Sequence, residues 1–514
     1  SRRAAIILKR HKNYSNLKVI SDNIYEHKFN MKFDYVLLIG VLEYVGINNA
    51  EGNPYVGLLN KIRSLLKDDG VLLVAIENKY GLKYWCGAAE DHTGIPFDGL
   101  NDYKMDNATE RYGKSGVRTF SKGELQRMLK KAGFANERFY YPLPDYKFPS
   151  FVFSDEHLPD IDNIRAIKFT YPRESELVAN EKKLYKDIIE NKTFPFFANS
   201  FLIEASGNKL ENENIVFVSH KRDYKSKYNV STVIDSHNQV SKVANDKEAI
   251  EHLNDIQENI INLQNRRIEV ISTKLIDTNK MTVDYCNLPL AINVFNDYIE
   301  KNDINQLRVM LKELEKNLYL SSEMHIGEPC NIKEINVDAE KILDNGYIDM
   351  TFINSFYKDG RLIFFDQEWN LTNIPVKYIL YRAIKYAQYE NHQKIMEKLC
   401  QEFGIDEILQ KSFDFFEENT INSMMNEINC NVFDPMMYHD ELKIYPNSRR
   451  VVNSLSCKIK EKDKQLSEDA GIIKELENTV CNNKNVIVQQ NEIIQQQNEI
   501  IQQRDITINN QRGH

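Results

Sequence analysis

The sequence predicts a multidomain protein with an α/β domain, then an α+β domain and a long α-helical segment at the C-terminus. Strands and helices alternate over the first part of the chain, which is typical of an α/β sheet. From residue 194, short alternating strands are followed by long helical patterns. A proline-free apolar period of seven residues runs from Val452 to Ile508.

Composition excludes several classes of protein. Of the 514 residues 42% are hydrophobic, enough for the cores of about three domains. The net charge of −9 gives no basic field that would favour nucleic acid as a partner. The 7 cysteines form no C-x-x-C pair, which argues against a disulfide framework or a zinc ribbon. No apolar run reaches the roughly 20 residues of a membrane span, so we expect a cytoplasmic protein whose only membrane contact would be peripheral, at the inner face.

The N-terminal domain is expected to cover residues 1–160. Its fifth element is a continuous apolar strand of the kind that is buried in parallel sheets. A turn at Asp68-Asp69-Gly70 precedes that strand. The predicted elements are, in order, a helix (Arg2–His11), a strand ending at Asp22 (Leu17–Ser21), a strand (Phe33–Ile39), a helix (Tyr55–Leu66) and a strand (Val71–Ile76).

The order FDYVLLIGVLEYV, helix, LLKDDGVLLVAIEN resembles the fourth and fifth strands of class I S-adenosylmethionine-dependent methyltransferases. Arg118–Ser121, the helix Lys122–Ala132 and Gly133-Phe134 match the F-(S/T)-x-x-E-L…A-G-F pattern that follows in many of them. The resemblance implies a Rossmann-like, doubly wound sheet. The cofactor of such a sheet lies across the carboxyl ends of its strands.

The same resemblance implies cofactor-binding residues. Asp22 is expected near the adenine of S-adenosylmethionine, and Ile39, Gly40 and Glu43 near its methionine end. The glycine-rich loop and acidic residue of the first two methyltransferase strands are missing, because the chain begins too late to contain them. We therefore expect either a fragment of a longer protein or a domain that has lost its cofactor cradle and serves as a scaffold.

A polar segment after the apolar strand supplies candidate catalytic residues. Glu90, Asp91 and His92 lie in the sequence EDHTG. Methyl transfer from a sulfonium needs in-line alignment, and a general base where the acceptor loses a proton. The three residues are candidates for that base or for acceptor binding, and the alternative is a polar loop with helix caps. The block from Glu77 to Gly94 resembles methyltransferase domains of bacterial surface-polysaccharide enzymes.

Prolines and a charged helix separate the first domain from the second. Asp145–Pro159 is the first linker candidate, and residues 161–193 are expected to form a helical linker. The second domain is expected over residues 194–435. Three antiparallel strands are predicted in it, at Ile215–Val218, Tyr228–Ile234 and Gln239–Val243.

A hairpin in the second domain is flanked by candidate catalytic residues. Its strands, Ser355–Lys358 and Arg361–Phe365, are joined by Asp359-Gly360, which suits a tight turn. Asp349 and Asn354 precede the hairpin, and Asp366 follows it. Phosphoryl transfer needs a carboxylate to orient the attacking hydroxyl, and an amide oxygen with a second carboxylate to hold Mg²⁺. The alternative is an ordinary hairpin with turn-forming Asp and Asn.

This pattern resembles the catalytic loop and metal-binding Asp of the protein-kinase-like superfamily. The resemblance implies that Asp349 is catalytic and that Asn354 and Asp366 are ligands of Mg²⁺. In the superfamily the metal-binding Asp begins D-F-G or, in small-molecule kinases, D-F-E, and the segment here is Asp366-Gln-Glu368. Tyr347 stands in place of the superfamily's His, and Gln367-Glu368 in place of Phe-Gly.

The three strands resemble the small lobe of a kinase. In that lobe a strand lysine holds the ATP phosphates and pairs with a glutamate of the next helix, which implies Lys242 and Glu248 here, with Glu251 as the alternative partner. The first strand turn has no glycine. Lys221 and Arg222 are expected to bind phosphate there instead, and the alternative is a mobile basic hairpin tip.

Helical patterns dominate the rest of the second domain. Asp284–Leu288 is a hinge candidate, and the patterns over Val294–Tyr319 and Val376–Phe416 indicate a large helical lobe.

The heptad period predicts a coiled coil over residues 449–510 that makes the protein a homo-oligomer. Only one seam is consistently apolar, because Lys462, Asp469 and Asn483 are among the residues of the other. The pairing should therefore be weak or dependent on length. The alternative is a low-complexity polar tract that is helical only with a partner.

Methyltransferase, kinase-like domain and coiled coil, in this order, resemble bacterial enzymes that terminate O-antigen chains by phosphorylating and methylating the last sugar. The resemblance implies a bifunctional transferase with S-adenosylmethionine, ATP and Mg²⁺ as cofactors and a surface glycan or related sugar as acceptor. The alternative is that both domains are degenerate and that the coiled coil recruits a glycosyltransferase partner.

Overall fold

A computed structural model describes residues 2–47, 53–103, 116–167, 169, 171, 177–210, 215–221, 224–327, 332, 340–387, 393–426 and 448–512. The chain divides into two compact units, Ser1–Lys443 and Ile444–His514. None of the helices in the described part of the chain combines the length and the apolarity that a membrane crossing requires.

The first half of the larger unit contains five strands and seven α-helices among its described residues, together with two 3₁₀ helices, Leu42–Ile47 and Gly99–Asn101. The strands are β1 (Phe33–Ile39), β2 (Leu66–Glu77), β3 (Asn136–Leu143), β4 (Phe151–Ser154) and β5 (Ser200–Ser206). The helices are α1 (Arg2–Arg10), α2 (Pro54–Leu65), α3 (Leu82–Trp85), α4 (Lys122–Lys131), α5 (Ile161–Ala166), α6 (Glu181–Glu190) and α7 (Phe194–Phe197).

The second half begins with five strands around one helix and continues with helices and short sheets. Its strands are β6 (Ile215–His220), β7 (Val230–Asp235), β8 (Val240–Ala244), β9 (Thr273–Asp277), β10 (Lys280–Val283), β11 (Met324–Ile326), β12 (Lys341–Tyr347), β13 (Ser355–Lys358), β14 (Arg361–Phe364) and β15 (Asn370–Pro375). Its helices are α8 (Ala249–Asn265), α9 (Ala291–Glu300), α10 (Ile304–Ser321), α11 (Val376–Tyr386), α12 (Gln393–Glu402), α13 (Glu407–Phe416), a π-helical turn (Glu417–Ile421) and α14 (Asn422–Met425).

One ten-stranded sheet runs through both halves, in the order β1-β2-β5-β3-β4-β6-β7-β8-β10-β9. β1 and β2 are parallel, and the other neighbouring strands are antiparallel. The halves are joined where β4 pairs with β6, with Phe151 opposite Ser219 and Val152 opposite Val218. The candidate linker Asp145–Pro159 therefore contains a strand of the sheet. Phe153 anchors that strand, because its side chain is fully buried.

Two further predictions differ from the structure in the first half. Leu17–Ser21 forms no strand. No other segment among the described residues pairs with it, and Leu17 and Ile20 are exposed. The turn expected at Asp68-Asp69-Gly70 is instead an irregular part of β2, where the register against β1 shifts.

The start of the second domain also differs from the expected position. β5, at Ser200–Ser206, lies in the sheet between β2 and β3, so it belongs to the core of the first half. Its side chains Phe201, Ile203 and Ala205 are fully buried there. The strands of the second half begin at β6.

The predicted hairpin is present as β13 and β14, which pair from Ser355 opposite Phe364 to Lys358 opposite Arg361. Asp359 and Gly360 both have positive φ angles, 50° and 79°, as a two-residue turn of this type requires. Behind the hairpin, apolar side chains of α9, α10 and α11 form the main core of the second half.

The smaller unit contains one helix, α15 (Ser448–Arg512), of 65 residues. At 1.5 Å per residue it is about 98 Å long. Its apolar side chains at seven-residue spacing are more than half exposed, namely those of Ile459, Leu466, Ile473, Val480, Ile487, Ile494 and Ile501.

Candidate functional site

Two groups of polar residues lie in the larger unit, one in each half. The first, called the sheet-edge cluster here, comprises Glu43, Glu77, His92, Asp91 and Lys147 at the carboxyl ends of β1 and β2. The second, called the cleft, lies between the strands β7, β8 and β10 and the hairpin of β13 and β14.

The end of β1 brings the backbone close to the sheet-edge cluster. Ile39 is the last residue of the strand, and Gly40 follows with φ +62° and donates its N–H to the carbonyl of Ala75. A Cβ atom at Gly40 would lie 2.9 Å from the Tyr146 hydroxyl oxygen. Position 40 therefore requires glycine for two reasons, the positive φ angle of the turn and the lack of room for a Cβ atom beside Tyr146.

Glu43 and Glu77 are two buried carboxylates of this cluster. Glu43 lies on the 3₁₀ helix after β1 and is 1% exposed, while Glu77 ends β2 and is 0% exposed. Ligand atoms of Glu43, Glu77 and His92 all lie within 4.8 Å of one another. Burial, together with the charge of Glu77, raises the pKa of Glu43 to about 7. Burial alone would raise the pKa of Glu77, but its contacts with His92 and Lys147 hold that pKa below the usual range.

His92 contacts two segments of the cluster, the 3₁₀ helix after β1 and the end of β2. Its Nδ1 is hydrogen-bonded to the Tyr44 hydroxyl at 3.2 Å, and its Nε2 lies 3.6 Å from Oε2 of Glu77. Burial alone would lower the pKa of His92, but contact with Glu77 raises it. The EDHTG segment therefore places His92 beside the end of β2.

Glu90 and Asp91 have different environments from His92. Oε2 of Glu90 accepts the backbone N–H groups of His92 and Thr93, at 2.7 and 2.6 Å, so Glu90 stabilises the turn as a cap does. Asp91 pairs with the buried Lys83, whose Nζ lies 2.8 Å from its carboxylate. Both carboxylates are engaged by the loop itself, which favours the alternative interpretation for these two residues.

Lys147, which was not selected from the sequence, lies between the carboxylates. It contacts Glu77 closely and lies 3.7 Å from both Asp91 and Asp145. Burial would lower its pKa, but these carboxylates raise it. Nothing in the pattern around Lys147 indicated this role, because it depends on the β3–β4 connection folding back over β2.

Asp22 was expected beside an adenine, but it does not end a strand. It lies on an exposed loop, where its carboxylate pairs with Nδ1 of His27 at 2.8 Å. That hydrogen bond holds the pKa of Asp22 below its usual value. Of the residues expected to contact S-adenosylmethionine, Ile39, Gly40 and Glu43 lie together at the end of β1, whereas Asp22 lies on the loop that contains His27.

Lys242 lies on β8 and points into the cleft. Its ammonium group contacts Asp366 closely and lies 2.7 Å from Oε1 of Glu368. Burial would lower the pKa of Lys242, but Asp366 and Glu368 raise it. Lys221, directly after β6, reaches the other oxygen of Glu368 at 2.9 Å. Arg222 lies outside the described residues.

The expected pair between Lys242 and Glu248 is not formed, and Glu251 does not replace it. Glu248 precedes α8, and both glutamates are exposed. The buried face of α8 presents His252 and Asn259 instead, and Nδ2 of Asn259 donates to the carbonyl of Gln367 at 3.1 Å. Glu368 supplies the carboxylate that the helix does not.

The sequence contained a signal for this exchange. Glu368 is a carboxylate two residues after Asp366, and both residues contact Lys242. Its charge and its closeness in sequence to Asp366 are the features that could have selected it.

The catalytic-loop residues converge on the same segment. Oδ2 of Asp349 accepts the backbone N–H groups of Glu368 and Trp369, at 3.0 and 3.2 Å. The carbonyl of Asn354 accepts the N–H of Phe365, the residue before Asp366. Burial raises the pKa of Asp349 to about 7. The segment around Asp366 therefore contacts the side chain of Asp349 and the backbone carbonyl of Asn354.

Arg382, another residue that was not selected from the sequence, contacts the loop that contains Asp349. It is buried on α11, and its guanidinium donates to the carbonyl of Ile348 at 3.0 Å and to the Tyr386 hydroxyl at 2.8 Å. Its positive charge acts on Asp349 and opposes the rise of the pKa that burial causes. A lone arginine in a helical pattern gives no sequence signal for this position.

The cleft encloses a cavity of about 240 Å³. Lys242 and Asp366 lie at its polar side, and Asp284, Tyr285 and Cys286 of the predicted hinge line it as well. Its walls are mostly apolar and come from both lobes, namely Ile234, Val240, Ile256, Ile260, Ile271, Met281, Val283, Phe356 and Phe365. The cavity is therefore a mostly apolar space with a lysine and a carboxylate at one side.

No protein-family model and no curated protein matches the sequence. Among solved structures, the chain is similar to a SAM-dependent methyltransferase from Thermotoga maritima, with 18% identity and a TM-score of 0.23 over 40% of this chain and 70% of that one. It is similar to the aminoglycoside phosphotransferase APH(2'')-Ib in its ADP-bound form, with 12% identity and a TM-score of 0.21 over 42% of this chain and 95% of that one. It is also similar to PKMT2 from Rickettsia typhi in complex with AdoHcy, with 12% identity and a TM-score of 0.21 over 82% of this chain and 86% of that one. Structural neighbours of this chain thus include methyltransferases and kinase-like phosphotransferases, at low similarity scores.

Proposed function

We propose that the second half of the chain is an ATP- and Mg²⁺-dependent phosphotransferase that acts on a hydroxyl group of a glycan or related sugar. The observation that carries this proposal is the convergence of Lys242, Asp366 and Asp349 beside an apolar cavity. Apolar walls suit an adenine ring, and a buried lysine suits the phosphates attached to it.

Each residue of the cleft has a task in this reaction. Mg²⁺, when bound, neutralises charge on the phosphoryl group that is transferred. Asp366 and Asn354 would hold it, while Lys242 binds the phosphates and Glu368 keeps that lysine in position. Asp349 lies on the catalytic loop with a pKa of about 7, so it can accept the proton of the acceptor hydroxyl.

Thermal-shift titration with ATP, with and without Mg²⁺, tests this proposal. The unaltered protein should be stabilised by ATP only when Mg²⁺ is present, and Asp366→Ala should lose that shift because the ion bridges the phosphates to the protein. Asp277→Ala, at an exposed position of the same lobe, is the matched control and should behave as the unaltered protein does. A protein that shows no Mg²⁺-dependent shift would not be a phosphotransferase of this kind.

We further propose that the first half transfers a methyl group from S-adenosylmethionine to the same acceptor. S-adenosylmethionine supplies an electrophilic methyl group when bound. Ile39 and Gly40 would contact its methionine end, and the sheet-edge cluster would bind the acceptor. β1 is the outermost strand of the described sheet, so residues 1–514 offer little contact for the adenosine and should bind the cofactor weakly. Calorimetric titration checks this expectation, and tight stoichiometric binding would contradict it.

The positions of the two sites support action on one extended acceptor. Glu77 lies opposite Ser200 and Phe151 opposite Ser219, so the ends of β2 and β6 lie at the same edge of the sheet. Lys221 of the cleft directly follows β6. With strands about 4.8 Å apart, the four steps from β2 to β6 amount to about 19 Å. A chain of a few sugar units can span that distance.

A second candidate function is that of a scaffold that recruits a glycosyltransferase partner. The exposed apolar side chains of α15 favour it, because such a stripe is stable in water only against another helix. Sedimentation of the whole chain and of a chain ending at residue 447 should give an oligomer and a monomer, respectively. Equal monomeric masses would remove both self-association and the predicted coiled coil.

A further inference from the structure

We propose that Glu43, Glu77 and His92 form a binding site for a divalent cation of the Mn²⁺ and Mg²⁺ class at the carboxyl ends of β1 and β2. This inference deepens the proposed methyl transfer and rests on it for its biological role. The three side chains each present one ligand atom, and the three atoms lie within 4.8 Å of one another.

Two orphaned oxygen atoms point to the cation. Oε2 of Glu43 and Oε2 of Glu77 are buried and accept no hydrogen bond. The residues that carry them are 1% and 0% exposed, and Nε2 of His92, the third proposed ligand, lies 3.6 Å from Oε2 of Glu77. A buried carboxylate oxygen without a partner costs free energy, and a bound cation would satisfy both atoms at once.

The lysines of the region leave Glu43 without a matching charge. Lys147 contacts the other oxygen of Glu77, and Lys83 pairs with Asp91. Neither lysine forms an ion pair with Glu43. Two carboxylates this close together therefore share one neighbouring ammonium group, and a divalent ion supplies the positive charge that is missing.

The donor set selects the kind of ion. Carboxylate oxygens suit hard cations such as Mg²⁺ and Mn²⁺, and an imidazole nitrogen favours a transition metal over Mg²⁺. Three protein ligands leave coordination positions open. Those positions would bind oxygen atoms of the acceptor, such as neighbouring sugar hydroxyls or a phosphate group, and would lower the pKa of a hydroxyl that is to be methylated.

The test is titration of the whole chain with Mn²⁺, without nucleotide or S-adenosylmethionine, followed by electron paramagnetic resonance. We expect one bound Mn²⁺ per chain, with electron spin-echo modulation from a directly coordinated ¹⁴N. Glu43→Gln has the same shape and should weaken binding at least about tenfold. His92→Asn should remove the ¹⁴N modulation.

Asp34→Asn, at an exposed carboxylate of β1, is the matched control and should leave the Mn²⁺ signal unchanged. Asp366→Asn shows whether Mn²⁺ binds in the cleft instead. Melting temperatures show whether each variant is folded, and if Glu43→Gln is not, His92→Asn decides the outcome. The inference is overturned if the unaltered chain binds no Mn²⁺, if neither cluster variant alters the signal, or if Asp366→Asn removes it. Mn²⁺ binding without methyl transfer at saturating S-adenosylmethionine would overturn the proposed methyltransferase and leave the metal site standing. Full methyl transfer in the presence of a chelator would overturn the ion's role in that reaction and leave the methyltransferase standing.

Discussion

The cleft and the sheet-edge cluster both bury glutamates, but the pKa shifts of Glu368 in the cleft and Glu43 in the cluster are opposite. Glu368 is buried between Lys221 and Lys242, which hold its pKa far below the usual range although burial alone would raise it. Glu43 has no such lysine, and burial raises its pKa to about 7. The number of nearby cations, rather than the depth of burial, decides which buried carboxylate stays charged.

This difference indicates that the cleft is preorganised for its ligand, whereas the sheet-edge cluster lacks a matching positive charge. In the cleft, two lysines are already held in position by Glu368 and Asp366 before any ligand arrives, which suits the binding of an anionic nucleotide. In the sheet-edge cluster, negative charge exceeds the positive charge supplied by Lys83 and Lys147, which suits the binding of a cation. The predictions below test the cleft side of this comparison.

The largest effect is expected from Asp349→Asn. If Asp349 orients the acceptor hydroxyl and accepts its proton, phosphoryl transfer should fall by a factor of order 10² or more. Nucleotide binding should stay nearly intact, because Asp349 does not hold the phosphates. Transfer to a sugar acceptor and ATP-induced thermal shift are measured side by side. Asp359→Asn, in the nearby hairpin turn, is the control, and a variant of Asp349 that retained full transfer would refute the assignment.

The second prediction concerns the ion pair between Lys242 and Glu368. Glu368→Gln leaves the buried Lys242 with Asp366 as its remaining counter-charge and removes the carboxylate that Lys221 contacts, so the free energy of unfolding should fall by about 3 kcal/mol. Glu248→Gln, at the position first expected to pair with Lys242, should change it by less than about 0.5 kcal/mol. Chemical denaturation of both variants provides the measurement. If the two variants were equally stable, Glu368 would not be the partner of Lys242.

The smallest effect is a pH-dependent gain in stability for Asp349→Asn. The pKa of Asp349 is raised to about 7 in the folded protein, so deprotonation favours the unfolded chain as the pH rises from about 4 to about 7. Removing the charge should therefore stabilise the fold more at pH 8 than at pH 5. Denaturation at the two pH values checks the trend, and a gain that was equal at both would contradict the raised pKa.

The sequence located the parts of the cleft that depend on local spacing. Asp349, Asn354 and Asp366 flank a hairpin whose turn residues fix its geometry, so their convergence follows from a short stretch of chain. The partner of Lys242 could not be found in this way, because it depends on which face of α8 turns inward. Leu17–Ser21 shows the converse error, since an apolar run forms a strand only where another strand can pair with it.

The pairing of β4 with β6 has a consequence for how the protein unfolds. Since one sheet passes through both halves, the two halves cannot separate without breaking the hydrogen bonds between β4 and β6. The larger unit should behave as one cooperative folding unit and melt in a single calorimetric transition. Expressing either half by itself would leave β4 or β6 as an unpaired edge strand. Such a strand can pair with other chains and cause aggregation.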